Sequence, residues 1–504
     1  MKKIAIFLSI LLSLSLTLCS FTSSDNEPTA TISEETETCI ACHASLHPGI
    51  VKSWENSLHA KISPIEANKK DNLEKRMSSM PENEALSKVT VGCYECHSLN
   101  TDKHADSFEH NGYTINVVVT PDDCSACHNE EKKQYDNNLM SHAYANLMEN
   151  EVYQSLKSTI NNDITFKEGS FHYGETNKLT DADACLHCHG TKLEVKGTFT
   201  KETDFGELSF PNIEGWPNQG VGRINPDGSK GSCTSCHPRH TFSIKTARTP
   251  DACAQCHKGP DVPAYKVYQV SSHGKIYNSS KDKYDLTAVP WVIGKDFDIP
   301  TCATCHVSLI TDEDGTVVAQ RTHQFNDRLS SRLFGVPYAH PHPISPETHK
   351  IVNDAGLQLA TNLDGSPASS FLIDEQEQEK RNNTMKQICN KCHSSNWTDN
   401  HFARLTDVIR TTNESTLAAT QILTKIWEEG YADNSNLFDE YIERQWVDVW
   451  LFHANGTRLS AAMAGGGDYG VFADGRYQLT NKLFYLLEWL KNNQDKNSKK
   501  KKKK

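Results

Sequence analysis

Apolar side chains take on a helical period in the last part of the chain. Beyond residue 401 they recur every three or four positions, as on one face of a helix. The two clearest stretches are Ile442, Trp446, Val449, Trp450 and His453, and Leu483, Leu486, Leu487 and Leu490. Between them, residues 465–469 read Gly-Gly-Gly-Asp-Tyr, which is typical of a loop. The pattern predicts a C-terminal helical region over residues 403–493.

A second apolar stretch lies at the N-terminus, where residues 4–18 follow two lysines. A basic start and a short apolar run are typical of an export signal and fall short of a membrane span. We assign residues 1–22 to this signal and expect an exported protein, in the periplasm or an equivalent extracytoplasmic compartment. The run ends at Cys19 in a loose lipoprotein-like site, although Leu18 is bulkier than the residue expected there. Simple cleavage and lipid anchoring at Cys19 both stay open.

Between these ends, over residues 23–402, a short chemical motif replaces the hydrophobic period. Hydrophobic residues make up only 37% of the chain, so something besides aliphatic side chains is expected to fill the interior. The chain holds 17 cysteines and 23 histidines, and Cys-x-x-Cys-His occurs eight times. At those frequencies chance supplies about 0.03 copies. The motif is therefore the main chemical signal of the sequence.

Each copy has the composition that attaches a c-type haem. Two thiols on one turn of chain add to the haem vinyl groups, and the adjacent imidazole becomes the proximal iron ligand. Zinc binding or dithiol chemistry does not explain a histidine in every copy. The attaching residues are Cys39, Cys42, Cys93, Cys96, Cys124, Cys127, Cys185, Cys188, Cys233, Cys236, Cys253, Cys256, Cys302, Cys305, Cys389 and Cys392. The proximal ligands are His43, His97, His128, His189, His237, His257, His306 and His393.

Fifteen further histidines supply candidates for the second axial ligand of each iron. Their number permits eight closed irons, as in an electron wire. It equally permits seven closed irons and one open, reactive iron. A histidine outside the motifs is about as often a surface or hydrogen-bonding residue as a ligand. The distal ligands we predict are His59, His142, His240, His273, His323 and His401.

These features predict a mainly α protein: a multihaem cytochrome c with a haem-filled core and long C-terminal helices. The motifs are irregularly spaced, which excludes a simple tandem array. Thr-Pro-Asp precedes both Cys124 and Cys253 and favours a helix start that places the haem on the first turns. The linker 199–231 is rich in Gly, Pro, Asn and Asp and is interpreted as a loop. Residues 494–504 form a separate lysine-rich tail.

The charge of the chain limits its partners. A formal net charge of −12 argues against general nucleic-acid binding. The final run Lys499–Lys504 opposes this trend, and we expect it to be a solvated, disordered tail. The alternative is contact with an anionic membrane surface or an acidic redox partner through these lysines.

Two runs carry a resemblance to a known family. The first starts at Cys233 with Cys-Thr-Ser-Cys-His-Pro-Arg-His-x-Phe-Ser and leads to Ala247-Arg248-x-Pro250. The second starts at Cys256 with Cys-His-x-Gly-Pro-Asp-x-Pro and is followed by Ser272-His273-Gly274. With the eight motifs and the Trp-rich C-terminal helix, they resemble the hydroxylamine oxidoreductase family of octahaem cytochromes c over roughly residues 39–490. The last five motifs more distantly resemble pentahaem cytochrome c nitrite reductase.

The resemblance implies eight c-type haems with distinct tasks. The fourth, whose proximal ligand is His189, would be catalytic and open on its other face. The other seven would be bis-histidine haems that carry electrons between this iron and an outside partner. The resemblance also implies a homotrimer whose C-terminal helices supply the subunit contacts.

The same resemblance implies three catalytic residues and two departures from the family. The family has an Asp-His pair where this chain has Asp261-Val262; a valine cannot move protons, whereas Asp261 can. Oxidative members carry a tyrosine bonded to the active haem of a neighbouring subunit, and Tyr469 is the better match here, ahead of Tyr477. The surroundings of that tyrosine match the family only loosely. Tyr338 is the third candidate for the distal pocket.

These features favour an exported haem oxidoreductase that acts on a small inorganic nitrogen compound. It would oxidise hydroxylamine or hydrazine, or reduce nitrite or hydroxylamine; the direction stays open, since a tyrosine cross-link favours oxidation and an unlinked haem favours reduction. A redox partner protein or a quinone-linked cytochrome would exchange the electrons. The alternative is a non-catalytic electron conduit, which Val262 and the supply of histidines both support.

Overall fold

Helices make up most of the regular structure in the computed structural model, which describes residues 31–502. The prediction of a mainly α multihaem cytochrome fold with long C-terminal helices is confirmed. The signal segment and Cys19 lie outside the described residues. None of the described helices is long and apolar enough to cross a membrane.

Short helices dominate the haem-binding region, and most of them span fewer than ten residues. They are α1 (Glu34–Leu46), α2 (Pro48–Glu55), α3 (Pro64–Ala67), α4 (Glu84–Lys88), α5 (Cys93–His97), α6 (Pro121–Cys124), α7 (Asn129–Asp136), α8 (Ala143–Met148), α9 (Glu151–Asn161), α10 (Lys178–Asp183), α11 (Cys185–His189), α12 (Ile244–Arg248), α13 (Pro250–Ala254), α14 (Ala264–Val270), α15 (Ser272–Ser280), α16 (Cys302–His306) and α17 (Glu375–Cys389).

The haem motifs are local helical turns with identifiable start signals. As predicted, helices begin at the prolines before Cys124 and Cys253, because proline suits the first helical position. The Thr120 side chain also accepts a hydrogen bond from the backbone N–H of Asp123. At the end of α11, Gly190 has φ +91°, and a Cβ there would lie 2.2 Å from the backbone N of Arg223. Only glycine fits this close approach after the fourth motif.

The strands form small two- and three-stranded sheets between the helices. They are β1 (Ser107–His110), β2 (Tyr113–Asn116), β3 (Ile164–Lys167), β4 (Ser170–Tyr173), β5 (Glu194–Thr203), β6 (Gly206–Glu214), β7 (Trp291–Val292), β8 (Ile310–Thr311), β9 (Val317–Ala319), β10 (Ser331–Arg332) and β11 (His340–Pro341). The loop prediction for 199–231 is wrong up to residue 214, because β5 and β6 pair there as an antiparallel hairpin with Phe199 opposite Phe210. Such cross-strand aromatic pairs stabilise strands despite flanking turn residues.

Two long helices, two short helices and two π-helical segments form the C-terminal region. The helices are α18 (Ser395–Glu428), α19 (Tyr441–Val447), α20 (Asn455–Ala462) and α21 (Arg476–Lys501), and the π-helical segments are Asp448–Ala454 and Tyr469–Ala473. The first predicted apolar face is buried: Trp446 is 1% exposed and Trp450 0%. It crosses from α19 into the first π-helical segment, which the helical period does not distinguish from an α-helix.

The C-terminal core is apolar and includes side chains from the haem-binding region. Its buried members include Leu423, Ile426, Phe438, Ile442, Trp446, Trp450 and Leu486, with Val152 and Leu359 from the haem-binding region. The helix α21 continues through Lys501, so the expected disordered tail is helical there. Cations in the last turn interact favourably with the helix dipole.

Candidate haem cavity and active site

One connected cavity of about 3630 Å³ runs through the haem-binding region. Ordinary ligand pockets measure roughly 300–1,000 Å³, so this space is several times larger. All sixteen motif cysteines and all eight proximal histidines line it. The cavity has the size and the lining that several thioether-linked haems need.

Two proximal histidines are oriented by backbone carbonyls. The Nδ1 atom of His97 lies 2.8 Å from the carbonyl of Asn116, and that of His189 lies 3.0 Å from the carbonyl of Ala143. An Nδ1–H that donates to a carbonyl leaves Nε2 free for a metal. Burial also lowers the pKa of His237 and His306 to about 4, which keeps the imidazole in the neutral form that binds iron.

Three pairs of histidine rings lie at the separation expected for two ligands of one metal. The ring centroids are 6.2 Å apart in His43–His110, 6.3 Å in His59–His128 and 6.0 Å in His273–His393. A metal–imidazole bond of about 2.0–2.1 Å on each side gives roughly this spacing between centroids. The pairs therefore suit the first, third and eighth motifs as proximal and distal ligands.

Five of the six predicted distal histidines line the cavity, namely His59, His240, His273, His323 and His401. His240 has φ +69°, an unusual backbone for a non-glycine residue. Burial, with His97 nearby, lowers its pKa to about 4. His142 does not line the cavity. Its Nε2–H donates to the Asp136 carbonyl at 2.8 Å, so this placement does not support a distal role for His142.

Histidines outside the predicted set also reach the cavity wall. They are His47, His110, His187, His340 and His342. No sequence feature distinguishes His110, which ends strand β1 directly before an Asn-Gly turn. Its pairing with His43 depends on the β1–β2 hairpin, a tertiary feature that residue spacing does not reveal.

His189 has charged side chains in its surroundings. Burial lowers the pKa of His189, the hydrogen bond to Ala143 and the charge of Asp261 oppose this, and the charge of Arg332 adds to it. Asp261, Val262 and Arg332 all line the cavity. The fourth motif thus has a carboxylate and a guanidinium close to its histidine.

Tyr338 is placed away from the cavity. It is 1% exposed, and its hydroxyl donates to the Leu363 carbonyl at 2.7 Å while lying 3.1 Å from Thr420 Oγ1. Burial raises its pKa to about 12. Tyr338 therefore lies outside the cavity wall of its own chain, and its role in the distal pocket stays a prediction.

Neither tyrosine proposed for a cross-link lines the cavity of its own chain. The Tyr469 hydroxyl donates to Asp474 at 3.2 Å, and the other oxygen of Asp474 lies 3.0 Å from His453 Nδ1. Tyr477 is 53% exposed and packs near Phe472. The resemblance places this tyrosine over the haem of a neighbouring subunit, so the cross-link stays a prediction.

Comparison with known proteins agrees with this architecture. A family model described as "Seven times multi-haem cytochrome CxxCH" matches residues 225–329, and one described as "Cytochrome c554 and c-prime" matches residues 38–117 and 123–209. A solved structure described as "Hypothetical multiheme protein" shares 38% sequence identity with a TM-score of 0.87. The match covers 94% of this chain and 98% of that one.

The chain belongs to the multihaem cytochromes c. A Kuenenia stuttgartiensis protein described as "Probable nitrite reductase-hydroxylamine oxidoreductase fusion protein" is 25% identical over 343 residues. That match covers 59% of this multihaem cytochrome but only 37% of the relative's length. The reducing HAO-like protein complex of the same organism shares the fold, with 18% identity, a TM-score of 0.62 and coverage of 94% and 87% of the two chains.

Proposed function

We propose that this cytochrome is an exported octahaem oxidoreductase for small inorganic nitrogen compounds. One open haem, at the fourth motif, would bind the substrate nitrogen, and seven bis-histidine haems would carry electrons. The relatives described as hydroxylamine oxidoreductase and nitrite reductase proteins support this chemistry. The attachment of c-type haem, which is typical of extracytoplasmic proteins, supports export.

The position of Asp261 on the wall of the same cavity as His189 carries the proposal. A haem bound there would supply an iron for the substrate nitrogen and a store for electrons. Asp261 would hold or release the protons that accompany electron transfer, since a carboxylate in the cavity wall can exchange protons with a bound molecule. Val262 would contribute only to the shape of the cavity wall, because its side chain cannot exchange protons. The Asp261 loop is held in place because Asn455 Nδ2 donates to the Asp261 carbonyl at 2.8 Å.

The other motifs fit electron transfer. Three proximal histidines already have a second ring at ligand distance, and further histidines line the cavity near the rest. A chain of closed haems would connect the fourth motif to a redox partner protein or a quinone-linked cytochrome. We propose that the protein is a homotrimer, as the family resemblance implies. A Tyr469 that is cross-linked to the haem would favour oxidation of the substrate, and a free Tyr469 would favour reduction.

Ligand binding followed by turnover tests the proposal. Cyanide added to the oxidised full-length cytochrome should change the absorption of one haem in eight. Steady-state assays should then show turnover of hydroxylamine, hydrazine or nitrite above that of free haem. Asp261→Asn should lower kcat at least about tenfold if Asp261 moves protons. The exposed Asp282→Asn serves as the matched control and should keep wild-type rates.

The alternative is a non-catalytic electron conduit. It is favoured by the ten histidines outside the motifs that line the cavity, which suffice to cap every iron. A conduit would bind no cyanide at any haem and would turn over none of the three substrates. That pair of results would overturn the oxidoreductase proposal and leave electron transfer as the function.

A further inference from the structure

The β3–β4 hairpin, which we call the arm, exposes one wholly apolar face. In its antiparallel register Ile164 lies opposite Tyr173 and Phe166 lies opposite Phe171, so the four side chains share one face. Their exposed fractions are 47%, 43%, 68% and 63%, in that order. The side chains on the other face are polar. The arm is therefore amphipathic, and its apolar side is open to solvent.

Bound haem does not account for the exposure of the arm. None of its four apolar side chains lines the cavity that contains the haem motifs. The rings of Phe166 and Phe171 contact each other, with centroids 5.7 Å apart, yet both stay more than half exposed. A two-stranded hairpin alone is marginally stable in water and needs another element packed on its apolar face. No other part of residues 31–502 covers this face of the arm.

The base of the arm is fixed beside the fourth haem motif. Lys157 of α9 pairs with Asp181 of α10, and both are buried. Asn161 Nδ2 donates to Asp181 Oδ1 at 2.8 Å and lies 3.7 Å from Cys185 Sγ. The two helices that carry the arm are thus joined by buried polar contacts. The arm projects from a built base next to the fourth motif.

A second uncovered apolar surface lies in the C-terminal region. Helix α21 buries Leu479 and Leu486, which are at most 4% exposed, whereas Tyr477 and Phe484 are 53% and 68% exposed. The ring of Phe472, which is 55% exposed, lies 5.9 Å from that of Tyr477 between centroids. None of these three aromatic side chains lines the haem cavity. We call Phe472, Tyr477 and Phe484 the aromatic patch.

The areas of the two surfaces suit one interface between copies of the chain. An aromatic side chain buries about 150–250 Å², so at half to two-thirds exposure the arm and the aromatic patch each offer roughly 400 Å². Placed face to face they bury on the order of 800 Å² of apolar surface. Interfaces are only about 56–65% apolar, so the whole contact reaches the roughly 1,200–2,000 Å² of a stable one. Aromatic side chains are also enriched at the centres of interfaces.

We propose that the arm docks on the aromatic patch of a second copy of this chain. One such contact covers both surfaces, whereas pairing each surface with itself needs two different interfaces. Because the two surfaces differ, the contact is head-to-tail, the kind that builds closed rings. The inference rests on the oligomer in the proposed function but is independent of its open haem. It places a subunit contact next to the fourth motif.

Sedimentation of the full-length, haem-loaded protein tests the inference. The wild type should sediment as an oligomer. Phe166→Ser combined with Phe171→Ser should raise the dissociation constant at least about a hundredfold, since two aromatic side chains are lost from the contact. The control is Ile344→Ser, an apolar-to-serine change at a 65% exposed side chain outside both surfaces, which should stay an oligomer. An oligomer that survives the double change would overturn the inference.

Disulfide trapping identifies the surface on which the arm docks. Phe166→Cys and Tyr477→Cys combined in one chain should give cross-linked copies on a non-reducing gel after mild oxidation, and each single variant should give none. Cross-linking of the Phe166→Cys variant with itself would mean that two arms pair, which overturns the inference. A monomeric wild type overturns it too, because a different protein then covers the arm. The proposed function fails separately, if no haem of the wild type binds cyanide.

Discussion

The C-terminal helices bury a higher proportion of apolar side chains than the haem-binding region does. The C-terminal core is built from direct apolar contacts, with Trp446, Trp450 and Leu486 at most 1% exposed. Fifteen buried apolar residues form that cluster. The haem-binding region has its own apolar cluster around Trp291 and Ile310, but it contains only seven. The much longer part of the chain therefore has the smaller of these two apolar clusters.

Polar and charged groups take the place of apolar ones around the haem cavity. His104 lies between two carboxylates, 3.1 Å from Asp106 and 3.2 Å from Asp123, and all three side chains are at most 1% exposed. Lys157 pairs with Asp181 in the same way. These contacts hold loops around a space of about 3630 Å³. We call the buried charged contacts around His104 and Lys157 the polar frame of the haem-binding region. We infer that the cofactors supply the apolar interior.

The comparison explains the low hydrophobic content of the sequence. A chain whose interior is partly cofactor needs fewer aliphatic residues to bury the same surface. It also predicts different sensitivities: the haem-binding region should depend on haem and on buried charge, and the C-terminal region on side-chain packing.

Loss of one haem should produce the largest effect. Replacing Cys302 and Cys305 by alanine prevents attachment at α16, which lies close to the Trp291 cluster. An unfilled cavity of haem size should cost more than about 5 kcal/mol locally, beyond what relaxation recovers. Hydrogen exchange measured by mass spectrometry should show residues 286–319 losing protection. Peptides from α18 and α21 in the same sample are the internal control and should stay protected; global unfolding would contradict the division into two regions.

Removal of a C-terminal tryptophan should be the next largest effect. Trp450→Ala should cost about 3–5 kcal/mol in the free energy of unfolding. Its indole N–H has no hydrogen-bond partner among the described residues, so the change tests packing alone. Thermal unfolding followed by far-UV circular dichroism measures it, with the haem absorption spectrum expected to stay unchanged. Tyr441→Ala, at a 61% exposed position, should lie within about 0.5 kcal/mol of wild type.

The helical period was sufficient to predict the C-terminal region because apolar burial there is local and periodic. It did not reveal the π-helical segment at Asp448–Ala454, which keeps nearly the same buried face. The β5–β6 hairpin was missed because Gly, Pro and Asn in that linker outweighed the alternation around Phe199 and Phe210. The turn-forming residues favour a loop in this linker, whereas pairing between the two strands favours a hairpin. Which of the two structures forms depends on the partner strand and not on the local residues alone.

The spacing of the cysteines predicts the haem-attachment residues, because thioether chemistry requires neighbouring cysteines, and all sixteen line one cavity in the structure. Pairs of histidines are harder to predict, because a second ring can come from a different element: His110 lies on a hairpin more than sixty residues from His43, and their ring centroids are 6.2 Å apart. His142 has the right residue type, but its hydrogen bond to Asp136 turns it elsewhere.

Alkaline pH should weaken the polar frame of the haem-binding region. Burial opposes the charge on His104, but hydrogen bonds to Asp106 and Asp123 outweigh it and raise its pKa to about 10. A raised folded-state pKa gives stability that is complete below about pH 6.5 and is lost as pH approaches 10. The loss should be on the order of 3 kcal/mol in denaturant unfolding. His104→Gln should flatten this dependence, whereas His172→Gln, at an exposed histidine, should preserve it.

A smaller pH effect of similar sign should arise in the C-terminal region, from one carboxyl in an otherwise apolar core. Burial raises the pKa of Glu443 to about 7, against hydrogen bonds from Trp427 Nε1 and the Glu440 backbone. Its contribution to stability is therefore complete below about pH 4.5 and is lost as pH rises through 7. Glu443→Gln removes the ionisation but keeps one acceptor, so it should gain about 1 kcal/mol at pH 8 and none at pH 5. Denaturant unfolding at both pH values measures this, with exposed Glu428→Gln as the control. An equal change in the free energy of unfolding at both pH values would mean that Glu443 acts through its hydrogen bonds rather than its charge. The stability of the C-terminal region would then be insensitive to pH, unlike that of the haem-binding region.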